Sequence, residues 1–199
     1  MSELLAEEVR VPNSEPDEFQ IVPKVGLIFV GVAVIALLVA VSTNSLWAID
    51  FFHVVGGAAW TILDLFLGFV LGPILGRLSI PARAEFTKRF MPKMLLIMPT
   101  VVLCTLAGGF QLAKHEGRLI AHYPDHPWLV ASYIVVAVMA LVALGLLEPA
   151  NVAVLFELKK PTPNGEVIAK LMKRFIYSAG VTGAMQVATL IIMTKLATS

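Results

Sequence analysis

Residues 50–77, DFFHVVGGAAWTILDLFLGFVLGPILGR, decide the fold: a long apolar run with a histidine, His53, and an aspartate, Asp64, inside it. A helix rises about 1.5 Å per residue and needs about 20 apolar residues to cross the hydrocarbon of a bilayer. The stretch from Leu46 to Leu75 therefore spans with length to spare. At about 100° per residue, His53, Gly56, Gly57, Trp60 and Asp64 fall near one face. Gly68, Gly72 and Gly76 form a second stripe of small residues at four-residue spacing. The first face reads as a site, the second as a contact surface.

The whole chain agrees with this reading. Of its 199 residues 58% are hydrophobic, and the mean hydropathy is +0.84, whereas soluble domains are about 45–50% apolar. The sequence predicts an all-α integral membrane protein in contact with the lipid bilayer. A net charge of +1 says nothing about nucleic acid or acidic partners; no nucleic-acid-binding signature appears in the sequence, and no nucleic-acid partner is expected. Cys104 has no second cysteine with which to pair and reads as a small packing residue.

Working outward, residues 1–24 are polar and acidic (Glu3, Glu7, Glu8, Glu15, Asp17, Glu18) and read as a solvated tail. They lack the basic opening of a secretory signal, so residues 25–43 are expected to be a retained first span. Residues 46–195 then supply four more spans, a four-helix bundle. Pro73 is expected to bend the second span. Arg77–Lys93 reads as a basic amphipathic connector, with Ile80, Phe86 and Phe90 at the membrane interface. Met94–Ala113 is the third span, Trp128 to about Leu147 or on to Phe156 the fourth, and Phe175–Lys195 the fifth. Lys and Arg collect in the 77–93 and 159–174 connectors and are sparse in 43–50 and 114–127. The bias of cytoplasmic loops toward Lys and Arg predicts an inner-membrane protein with its N-terminus cytoplasmic and its C-terminus outside.

Ionisable residues inside a span are functional-site candidates by default. A neutral imidazole such as His53 is a competent haem or metal ligand; Gly56 and Gly57 would clear a surface for a flat macrocycle, with Trp60 at its edge. The plainer reading of His53 is a hydrogen bond between helices. Asp64 lies near mid-membrane, where a charge costs about 2.5–3.5 kcal/mol on insertion scales, and is expected either to be protonated or to have a partner. Gln186 in the fifth span is level with it, flanked by Thr182 and Thr189; an interhelical bond that fixes register is favoured over a proton relay. His115, His122 and His126 share a loop with Glu116 and Asp125, and with His53 form a candidate copper or zinc set lacking the soft ligands of Cu(I). Met91, Met94 and Met98 read as core filling. Ala179/Gly183 and Gly180/Ala184 repeat the small-xxx-small pattern of close helix contacts.

No P-loop, dinucleotide fingerprint, nucleophile elbow or CxxCH is present. The order His53-x6-Trp60, a basic connector, Leu106-Ala-Gly-Gly-Phe-Gln-Leu-Ala113 and Pro127-Trp128-Leu129 resembles a superfamily of small four-helix membrane proteins. It comprises the copper-resistance protein D family, the HemJ-type protoporphyrinogen oxidases and a related integral membrane family. That resemblance covers about residues 46–195 and implies a b-type haem held by His53. It differs from HemJ-type members at Thr61, where they carry glycine, and at Ala131 and Ser132, where they carry a lysine. The resulting expectation is a haem b electron-transfer or accessory subunit of a membrane redox complex, with His115 or another outer-loop histidine as a second ligand. A cofactor-free structural subunit and a copper-handling protein are the alternatives.

Overall fold

The computed structural model describes residues 19–119 and 126–198. They form five long helices, α1 Lys24–Ser42, α2 Leu46–Arg77, α3 Ile80–His115, α4 His126–Leu158 and α5 Gly165–Ala197, each long and apolar enough to cross a membrane. No strand occurs among the described residues. Helices α2 to α5 make the bundle: α2 packs along α3, α5 touches each of the other three, and α1 lies outside against α3 and α2. α5 is the most buried helix and α1 the least, as expected of a central helix and an added one. The chain runs up and down, so one end of the bundle carries the Lys- and Arg-rich connectors and the other the histidines.

Two spans share a device that the sequence marks only by a proline. In α2 the turn Phe66–Leu71 widens to π-helical geometry, and the Gly72 N–H reaches back to the Leu67 carbonyl. In α4 the turn Ala143–Leu147 does the same, with the Glu148 N–H bonded to the Ala143 carbonyl. Each is followed, after one residue, by proline, Pro73 or Pro149. Proline has no N–H, and its ring crowds the carbonyl four residues back. Slipping one residue to i→i+5 bonding relieves that crowding while the helix continues. This is why α4 runs on to Leu158 instead of stopping near Leu147.

The stretch read as a surface connector is also helical and continuous with the third span, which starts at Ile80. Arg83 folds back to donate from Nη2 to the Gly76 and Leu78 carbonyls, 3.2 and 3.3 Å away, closing the end of α2. Phe86 and Phe90 stack at 5.0 Å and pack on the core. The next turn is set by Asn164, whose side chain accepts from the Glu166 and Val167 N–H groups as an N-cap.

Met91, Met94 and Met98 are buried, in one cluster with Met139, Met172 and Phe175, as core filling requires. Most of residues 1–24 lie outside the described residues; of those described, Phe19 and Ile21 pack back on this same core, so the end of the tail is docked on the bundle.

Candidate functional site

The face of α2 that carries His53 is turned toward α3 and fitted to it by glycines on both sides. A Cβ on Gly108 would stand 2.9 Å from the His53 backbone nitrogen and 3.1 Å from the Ile49 carbonyl oxygen. One on Gly109 would meet the imidazole itself at 2.6 Å. From the other side, a Cβ on Gly56 would meet the Thr105 hydroxyl at 2.7 Å, and one on Gly57 the Thr105 methyl at 3.5 Å. Leu106-Ala-Gly-Gly and Gly56-Gly57 are thus the two halves of one close helix crossing.

His53 locks that crossing: its Nδ1 lies 2.9 Å from the Thr105 carbonyl oxygen. A carbonyl only accepts, so the Nδ1 atom carries the proton, and in the neutral ring Nε2 is the nitrogen that holds the lone pair. Metal-ligating histidines are oriented by this type of bond, and histidines that pin two helices together are too. The surroundings decide between them. Of the haem cradle expected from sequence, Gly56 and Gly57 face Thr105, and Trp60 is buried in the core, 3% exposed. A macrocycle laid on these glycines would have to displace α3, so they do not fit a porphyrin.

His115 is elsewhere. It ends α3, six residues or about 9 Å along the axis beyond Gly109, where the His53 ring rests. Its Nε2 lies 3.2 Å from Nδ2 of Asn44, the turn residue between α1 and α2, which has a positive φ of 52°. An amide nitrogen only donates, so this bond occupies the His115 Nε2 lone pair. His126 begins α4, and His122 lies outside the described residues. Among the described residues no three His, Cys, Asp or Glu side chains gather to hold a metal ion.

The deeper polar pair does come together. Asp64 is fully buried, 0% exposed. Thr182, Gln186 and Trp60 turn their polar groups toward its carboxyl, although neither oxygen reaches hydrogen-bond geometry. Nε2 of Gln186 has an unused donor beside it, while Oε1 of Gln186 accepts from the Thr61 hydroxyl at 2.8 Å. That hydroxyl also lies 2.8 Å from the Gly57 carbonyl, so its one proton is divided between two acceptors. Below the pair, Gly183 lets the backbone of α5 lie against Asp64 and Leu65. Thr189 instead turns to Met139, its hydroxyl 3.7 Å from the sulfur.

Sequence reasoning missed Asn151, which is fully buried in α4 with both side-chain polar atoms unpartnered. Its signal was present: it is the only Asn or Gln in that span.

No family model matches the chain, and no curated protein or solved structure matches it either.

Proposed function

We propose that the protein is a non-catalytic structural subunit of a larger membrane assembly, with α2 to α5 as a rigid scaffold and α1 as a peripheral helix. The fit of the α2–α3 crossing carries this reading: the glycines that would have to face a cofactor, and the Nδ1 atom of the histidine, are spent on holding two helices together. Asp64 and Gln186 act in the same way between α2 and α5, as a polar latch that fixes register in a medium where apolar contact selects little. By the distribution of Lys and Arg the basic end is cytoplasmic and the C-terminus external. The experiment is the native size of the protein extracted gently from its own membrane. The expected particle exceeds the 21.5 kDa chain and contains other polypeptides at fixed ratio; a monodisperse monomer contradicts the proposal.

One observation favours a second reading. With its Nδ1 atom tied to Thr105, His53 leaves Nε2 as the free ligand atom, and the residue is only partly buried. Haem b held there would lie outside the α2–α3 crossing and would supply one-electron transfer.

A further inference from the structure

A groove of about 710 Å³ lies between the second half of α2 and the first half of α5. Its walls are made by the small residues of both helices, Gly68, Gly72 and Gly76 facing Gly180 and Ala184. Part of the stripe is already used within the chain: Gly68 touches the Gly180 backbone, and a Cβ on Gly72 would stand 2.6 Å from Ile176. Gly76 is different, with nothing within 4 Å of a Cβ placed on it, so it opens onto the groove.

The basic end of the groove carries Arg83 and Lys173. Arg83 spends Nη2 on the end of α2, but its Nε is buried and unpartnered. The Lys173 ammonium stands 5.6 Å above the Tyr177 ring, an exposed cation in position to move onto an anion. From Ala169 to Ala184 the lining spans 16 residues of α5, about 22 Å. That is the depth of one leaflet with its polar boundary, half of the roughly 40–45 Å of a bilayer. A transmembrane helix of a partner would seek contact across both leaflets. An apolar slot one leaflet deep, with two cations at its headgroup end, complements one phospholipid.

We propose that this groove binds a single anionic phospholipid, an acyl chain along the Gly72–Gly76 wall and the phosphate between Arg83 and Lys173. A phosphate is held by the Arg83 guanidinium at the groove wall, and draws Lys173 from the ring. Anionic lipid is concentrated in the cytoplasmic leaflet, on the side to which the Lys and Arg distribution assigns this end.

Native mass spectrometry of the full-length protein with added phosphatidylglycerol or phosphatidylcholine tests this. The wild type is expected to retain one phosphatidylglycerol in preference to phosphatidylcholine. Arg83→Gln with Lys173→Gln should weaken phosphatidylglycerol retention about thirtyfold, as two basic contacts imply, and leave phosphatidylcholine unchanged. Gly76→Leu fills open space, so the fold survives, and it should expel both lipids. Equal retention of the two lipids by the wild type overturns the proposal, as does undiminished phosphatidylglycerol in Gly76→Leu protein. So does a dimer that Gly76→Leu dissociates without loss of lipid, which would put a second copy of the chain in the groove.

Discussion

Gly68→Leu is expected to separate α2 from α5 and lower the thermal midpoint of the purified protein by roughly 6–12 °C. A Cβ at Gly68 has the α carbon and backbone nitrogen of Gly180 in its way, and neither can turn aside as a side chain does. Overpacking of close-packed interiors costs about 1–3 kcal/mol, and backbone against backbone belongs at the upper end. At about 2–4 °C per kcal/mol for chains of this size, the stated loss follows. Gly31→Leu is the control, since nothing lies within 4 Å of a Cβ at that position on α1, and its midpoint should stay within a degree or two. An unchanged midpoint in Gly68→Leu protein would mean that the two helices do not meet there.

The second large effect is a coupling. Gln186→Leu removes one of the two acceptors of the Thr61 hydroxyl and the amide that faces Asp64, leaving the buried carboxyl with only Thr182 and Trp60 turned toward it. Stranding one buried polar group costs about 1–3 kcal/mol, whereas removing both members of a pair is nearly neutral. Gln186→Leu alone should therefore lose about 2 kcal/mol, and Asp64→Leu combined with Gln186→Leu should regain most of it. Thermal unfolding of the four proteins of that cycle measures the coupling. Additive losses would show that Asp64 and Gln186 are independent and that the latch does not exist.

These two sites show what the sequence reveals and where it stops. Five spans were legible because apolar run length is a nearly sufficient signal in a bilayer. Helix ends were less so. The charges of Arg83, Lys88 and Arg89 marked 77–93 as a separate surface segment, yet Arg89 pairs with Glu85 at i,i+4 with 2.8 Å between them on a helix that simply continues. The juxtaposition of Asp64 and Gln186 followed from counting rise along antiparallel helices. The meaning of Gly56 and Gly57 did not, because a small residue clears space equally for a porphyrin or for another helix. Only the position of Thr105 and Gly109 says which one fills it. Asn151 was passed over because it follows Glu148-Pro149, in the stretch to Phe156 that the sequence left open as span or span end; the widened turn at 143–147 carries the helix through, and Asn151 is buried in it.

The central claim is that α3, and no cofactor, closes the histidine face of α2. The most direct test is the absorption spectrum, oxidised and dithionite-reduced, of protein purified from its own membrane with haem supplied during growth, alongside His53→Ala. The scaffold account predicts no Soret band at stoichiometric strength in either protein, and a lowered midpoint in His53→Ala from loss of the Thr105 bond. One haem per chain in the wild type, lost in a folded His53→Ala protein, would contradict it and establish His53 as an iron ligand.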